Sequence, residues 1–172
     1  FFREFDALTE LDISFNSKLL HISDKLCILT CLMTLDISGT AIKYFSMDSA
    51  AHIFMRNLKM NSMPKLEIKN IDCNFHDMTT LEVLGIGGDC MIHPLTDNFS
   101  SLTNLQEYST SGNIPCIPYT IARSPNLRLV SLIGCKNLMS PSSNIANAGA
   151  SAIIKYLQKQ IEYIWMRFFN FI

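Results

Sequence analysis

Two nine-residue segments near the start of the chain follow one frame. Leu8-Thr9-Glu10-Leu11-Asp12-Ile13-Ser14-Phe15-Asn16 and Leu32-Met33-Thr34-Leu35-Asp36-Ile37-Ser38-Gly39-Thr40 both read L-x-x-L-x-I-x-x-[NT], 24 residues apart. The frame returns at Leu81, Leu84, Ile86 and Asp89, at Leu105, Tyr108, Thr110 and Asn113, and at Leu127, Val130, Leu132 and Cys135. A weaker copy stands at Met55, Leu58, Met60 and Met63. The six starts, at residues 8, 32, 55, 81, 105 and 127, are separated by 22 to 26 residues. A period this regular restricts the chain to a stack of equivalent coils, in which each copy occupies the same place in its turn.

Within Leu-x-Ile, two apolar side chains fall on one face of a short strand, and the Leu three positions earlier enters the same interior. The frame predicts six short parallel strands centred near Asp12, Asp36, Lys59, Gly85, Ser109 and Ser131, forming one sheet whose third strand is the least regular. Leu11, Ile13, Leu35, Ile37, Leu84, Ile86, Val130 and Leu132 are expected to form two buried ladders. An amide at the ninth position, as in Asn16 and Asn113, can bond the backbone of adjacent coils. Thr40, Asp89 and Cys135 can do part of that job, and Met63 cannot. Beyond the strands, Ile22, Leu26 and Leu29, then Leu95, Phe99 and Leu102, then Ile117, Pro118 and Ile121 carry a second apolar signal for a convex wall. Pro94, Pro115 and Pro118 in those stretches point to irregular or 3₁₀ backbone.

Six copies in phase resemble the leucine-rich repeat superfamily over residues 5 to 157. The resemblance implies an α/β leucine-rich repeat solenoid: right-handed, with a curved parallel β-sheet on its concave face, an irregular or short helical convex side and a C-terminal helical cap. The periods, with the run from Asn137 through Pro141 to Ile145, resemble the intracellular Ras-group repeats, including those of Shoc-2-like and Roco-type proteins. Ile145, Gly149, Ala152-Ile153 and Tyr156-Leu157 match that group's Ile-x-x-x-Gly and Ala-Ile-x-x-Tyr-Leu signatures. The chain departs from the group in lacking a second loop proline and any GTPase or kinase segment.

The repeat array is expected over residues 1–147, and a helical cap with an apolar tail over 148–172. Ala152, Ile153, Tyr156, Leu157 and Ile161 recur at helical spacing, and residues 161–172 read as a continuation laid over the last coil. Phe1, Phe2 and Phe5 read as the tail of a preceding coil, so that earlier repeats are missing or these aromatics lie exposed.

Fourteen basic against fifteen acidic side chains give a net charge of -1, without the excess a phosphate-backbone binder needs, so nucleic acid is disfavoured. The apolar run from Ile153 to Ile172 is interrupted by Lys155, Lys159, Glu162 and Arg167, which argues against a membrane span. No signal peptide opens the sequence, and scattered cysteines in a chain this long suit reduced thiols in the cytoplasm. The pairs Cys73-x-x-His76 and Cys90-x-x-His93 have zinc-like spacing, but they fall at different phases of their coils, so no metal is expected. Gly85, Gly87 and Gly88 sit within a strand frame and read as a turn or a shallow spot rather than a phosphate loop. No catalytic residues and no cofactor are expected.

The reading is therefore a non-catalytic module that binds a protein on its concave face. Candidate contact residues are Glu10, Asp12, Phe15, Met33, Asp36, Arg56, Lys59, Glu82, Glu107 and Arg128. Phe15, Arg56 and Arg128 are the candidate anchors, as an aromatic and two arginines. The resemblance implies a small GTPase or another signalling protein as partner. The alternatives are a regulatory or targeting segment of a larger Roco-like GTPase/kinase protein, or a decayed gene fragment.

Overall fold

The computed structural model describes residues 5–48, 51–67, 71–88 and 99–169. In chain order the strands are β1 (Glu10–Asp12), β2 (Thr34–Asp36), β3 (Phe45–Met47), β4 (Asn57–Met63), β5 (Ile71–Cys73), β6 (Val83–Gly88), β7 (Glu107–Gly112) and β8 (Leu129–Ile133). Two helices follow, α1 (Ser143–Asn147) and α2 (Ala150–Phe169). Six strands form one parallel sheet in the order β1-β2-β4-β6-β7-β8. Its register follows the repeat frame: Leu11 pairs with Leu35, Leu35 with Leu58, Leu58 with Leu84, Leu84 with Tyr108 and Tyr108 with Val130.

One backbone feature repeats at every coil junction. The carbonyl of Thr9 accepts the amides of both Met33 and Thr34, at 2.8 and 3.0 Å. Met33, Arg56, Glu82 and Gln106 do the same for the coils that follow. Each shared carbonyl stands at the second frame position, so one residue per coil locks the next strand into register before its side chains pack. Beneath the sheet, Leu35, Ile37, Leu58, Met60, Leu84, Ile86, Tyr108 and Val130 form the buried columns. Leu11, Ile13 and Leu132 are only half-buried, contrary to the expectation for all eight ladder residues. Leu11 lies in β1, Ile13 just beyond it and Leu132 in β8, the outer strands of the sheet, each paired on one side only among the described residues.

The convex wall is built as the prolines suggest. Short 3₁₀ turns cover Asp24–Ile28, Phe75–Asp77 and Tyr119–Arg123. Leu26, Leu29, Phe75, Phe99, Leu102, Ile117 and Ile121 are buried along this wall, and the Phe75 and Phe99 rings meet at 5.1 Å. Ile22 is half-buried, and Leu95 lies outside the described residues. A second, two-stranded parallel sheet of β3 and β5 joins the second and third coils, an element the frame does not predict.

Of the ninth-position side chains, Asn113 Oδ1 accepts Asn137 Nδ2 from the next coil, whereas Asn16 and Thr40 turn back on their own strands. Asn16 Nδ2 donates to the Ile13 and Ser14 carbonyls and Thr40 Oγ1 to that of Ile37, rather than to adjacent coils as expected. The Cys135 thiol does reach the previous coil, at the Thr110 carbonyl. The eighth position carries a signal that the frame leaves unmarked: Phe15, Gly39, Ser62, Gly112 and Gly134 all have positive φ, from 53° to 89°. The chain turns out of the strand there through left-handed backbone, which glycine adopts without strain and phenylalanine does not.

At the other end, α2 packs on Tyr119–Arg123 and β8, burying Ile153 and Leu157, while the Tyr156 hydroxyl meets Ser140 Oγ at 2.9 Å. The helix runs on to Phe169, but Tyr163, Trp165 and Met166 are about half exposed, so this part does not lie flat on the last coil as expected. Among the described residues, no helix is long and apolar enough to cross a membrane.

Replacing Leu35 by Ala should cost about 2–5 kcal/mol in a denaturant melt, and Leu11→Ala less than about 2 kcal/mol, because only the first leaves an enclosed cavity. Phe15→Gly should stabilise the fold by up to about 1 kcal/mol in the same assay, by relieving its left-handed backbone.

Candidate protein-binding face

Alternation along each strand sends the residues between the buried columns to the other side of the sheet. The register aligns them into three rows running across the strands. One row reads Glu10, Thr34, Asn57, Val83, Glu107, Leu129, and the next Asp12, Asp36, Lys59, Gly85, Ser109, Ser131. The third contains Ser38, Asn61, Gly87, Ser111 and Ile133. Of the candidates, Glu10, Asp12, Asp36, Lys59 and Glu107 therefore stand on the open face.

Met33, Arg56, Glu82 and Arg128 do not. They occupy the second frame position, one residue before β2, β4, β6 and β8 begin, and so lie along the sheet's rim. The third position is the one that alternates with the buried leucine, and reading it would have found Leu129, which is 44% exposed. Met33, Arg56 and Glu82 line one rim hollow of about 400 Å³ with Phe54, Thr80, Asn104, Gln106 and Asn126. Phe15 sits at the opposite end of β1, 82% exposed. Its ring overlies Gly39, where an added Cβ would come within 2.9 Å of Phe15 Cδ1.

The two candidate arginines are engaged within the chain. Arg56 pairs with Glu82 at 3.4 Å, and Gln106 Nε2 donates to the other Glu82 oxygen at 3.4 Å. Arg128 pairs with Glu107 at 2.9 Å. These pairs are largely exposed, and each is worth at most about 1 kcal/mol. Their effect is to neutralise the rim and leave the net charge at the β1–β2 end. There Asp12 and Asp36 are direct partners in the register, and Lys59 stands opposite Asp36. Asp12 and Asp36 each accept the amide two residues on, from Ser14 and Ser38, at 2.9 Å. The Ser14 hydroxyl and amide hold the Asp12 carboxyl below its usual range, with a smaller contribution from the Lys59 charge.

Coil three departs from the frame in a way that shapes the face. Met60 pairs with Ile86 but Met63 with Gly88, so β4 carries one extra residue there, with Ser62 at φ 53°. This bulge lifts two amides off the ladder, and hydroxyls receive them: Asn61 N–H donates to Ser38 Oγ at 3.1 Å and Ser62 N–H to Ser111 Oγ at 2.6 Å. Asn61 Nδ2 also reaches Ser109 Oγ at 2.8 Å, two strands away. That reach passes over β6 and requires glycine there. A Cβ on Gly85 would lie 2.3 Å from Asn61 Nδ2, and one on Gly87 1.9 Å from Ser111 Oγ. Gly85–Gly88 therefore form a shallow region within a continuous strand and not a turn. Beside it, Ser62, Met63, Pro64, Gly88, Ser111, Gly112, Asn113, Ile133 and Gly134 line a groove of about 480 Å³.

Cys27, Cys31, Cys116 and Cys135 are free thiols, and partial burial pushes those of Cys116 and Cys135 above the usual range. Cys90 and His93 lie outside the described residues. On the convex side, Ser101 Oγ meets His76 Nδ1, while the neighbouring Asp77 carboxylate accepts Asn74 Nδ2 at 2.7 Å.

One in-register strand per coil, a 3₁₀ or irregular return and a terminal helix define an α/β solenoid of the leucine-rich repeat type. Among solved structures, the chain is similar to the functional domain of InlJ from Listeria monocytogenes, which includes a cysteine ladder. The TM-score is 0.47 and the identity 20%, over 81% of this chain and 33% of that one, so the chain spans about a third of that domain's length. No family model matches the sequence, and no curated protein matches it.

Gly85→Ala should destabilise by about 1 kcal/mol, the worth of the Asn61–Ser109 hydrogen bond it displaces, and by less in an Asn61→Ala background. Gly88→Ala should cost more in both, because its Cβ would meet the Leu66 carbonyl at 2.4 Å and backbone cannot step aside. Paired urea melts of the single and double variants check both expectations.

Proposed function

We propose that the chain is a non-catalytic protein-interaction module whose open sheet face binds a protein partner. The observation that carries this reading is the alignment of side chains into rows on a sheet held by shared carbonyls at five successive junctions. A surface so constrained loses little conformational freedom on binding, which favours recognition of a macromolecular surface. Exposed Glu10, Asp12, Lys59, Leu129 and Ile133 combine charge with apolar area on that face, the mixture typical of protein interfaces. The resemblance of residues 137–157 to Ras-group repeats extends the reading to a scaffold for an intracellular signalling protein, such as a small GTPase. The free thiols suit a cytoplasmic setting.

Affinity capture from the source lysate, followed by titration of the recovered partner, tests this. Lys59→Glu combined with Ser131→Glu should weaken binding at least tenfold. The melting transition should move by no more than about 0.5 kcal/mol, since both side chains project from the sheet. Lys155→Glu on α2 should leave affinity unchanged. Equal binding by the face variant and the α2 variant would place the site elsewhere on the solenoid.

A further inference from the structure

The eighth frame position traces a path across the sheet where its strands end: Phe15, Gly39, Ser62, Gly88, Gly112, Gly134. The glycines keep this path low. Exposed side chains stand at its two ends, Phe15 at 82% and Ile133 at 52%. Between Ser62 and Gly134 the path opens into the groove of about 480 Å³, whose accessible apolar side chains are Pro64 and Ile133. That space accommodates a large aliphatic or aromatic side chain with some of its flanking backbone.

The charge beside the path specifies what accompanies that side chain. With Arg56 held by Glu82 and Arg128 by Glu107, the β1–β2 end of the face presents Glu10, Asp12 and Asp36 against Lys59 alone. Asp12 and Asp36 are direct partners on adjacent strands with Lys59 next in the row, so this end of the row carries two negative charges to one positive. Like any exposed aspartate, Asp12 carries its negative charge near neutral pH, and the Ser14 hydroxyl and amide stabilise that form. Phe15 keeps a strained left-handed backbone while exposing its ring at this same end, an arrangement that packing within the chain does not reward.

We propose that an extended segment of the partner protein crosses the face obliquely, seating one large apolar side chain in the Gly88–Gly112–Ile133 groove and carrying a lysine or arginine over Asp12 and Asp36, three frame positions before the path. The inference rests on the open-face reading and adds to it the partner's chemistry and spacing. From β7 to the midpoint of β1 and β2 is about 17 Å across the strands, and from the eighth frame position back to the fifth about 10 Å along them, so the two points lie about 20 Å apart. An extended chain covers that distance in about six residues.

The test pans a phage library of random 12-residue peptides on the full chain, and measures fluorescein-labelled copies of the enriched sequences by anisotropy. Enriched peptides should pair Leu, Ile, Met, Phe or Trp with Lys or Arg about five to seven positions away. Ile133→Asp should weaken them at least tenfold. So should Asp12→Asn with Asp36→Asn, which preserves the oxygens that Ser14 and Ser38 bond, and this second loss should shrink at high salt. Asn57→Trp, which blocks the centre of the face, separates the two levels of inference. Peptides blocked by Asn57→Trp but lacking the pairing, or indifferent to the other variants, overturn the proposed partner chemistry while leaving the open-face reading standing. Peptides indifferent to every variant overturn both, and failure to enrich any peptide overturns the proposed segment. Each variant's melting curve is taken alongside, and Ile133→Ser repeats the groove test if Ile133→Asp fails to fold.

Discussion

A strand of three residues, such as β1 or β2, has no stability of its own, and in this chain each exists because the next coil repeats its register. The shared carbonyl at the second frame position is the contact on which that repetition depends. It accepts two amides from the following coil and so fixes both the height and the rotation of the incoming strand. Once it is made, the leucine columns meet without further adjustment. A slip of one residue would turn every buried side chain toward solvent, so the apolar pattern and the carbonyl ladder enforce the same register.

Against this regularity, the extra residue in β4 is the main source of individuality. A bulge frees amides that must find acceptors, and the nearest ladder carbonyls are already engaged. Serine hydroxyls supply the acceptors, Ser38 from the coil before and Ser111 from the second coil after. The second can be reached only across a strand without side chains. The glycines of β6, the serines of β7 and the groove beside them thus share one physical cause. It also places a depression on a face that parallel stacking would otherwise leave level.

Parallel register has an electrostatic consequence as well. Equivalent positions in successive coils become neighbours, so a repeated aspartate produces adjacent like charges, as at Asp12 and Asp36. Elsewhere the repeats have diverged in sign and neighbours pair, Arg56 with Glu82 along the rim and Arg128 at the rim with Glu107 on the face. Positive and negative side chains that look equally available in the sequence are therefore unequal in the folded chain. The acidic end retains its field, and the arginines spend theirs within the molecule.

The sequence by itself determined the solenoid, the six strands of its sheet and the residues under most of it, because a period repeated in phase leaves one way to bury those side chains together. It also contained the column of glycines at the eighth position, legible as a left-handed turn once the frame is aligned. Other properties depended on what lies across a coil boundary. Leu11 and Leu35 occupy the same frame position, and only the number of neighbouring coils makes one half-buried and the other enclosed. Met33, Arg56, Glu82 and Arg128, read from the sequence as face residues, stand at the rim because the strands begin one position later, after the carbonyl that sets the register has been used. The bulge at Ser62, the bond from Asn61 to Ser109 and the groove they border were decided by tertiary structure alone. They join residues about two coils apart in sequence, and whether a hydroxyl there meets an amide depends on the exact height of each coil in the stack.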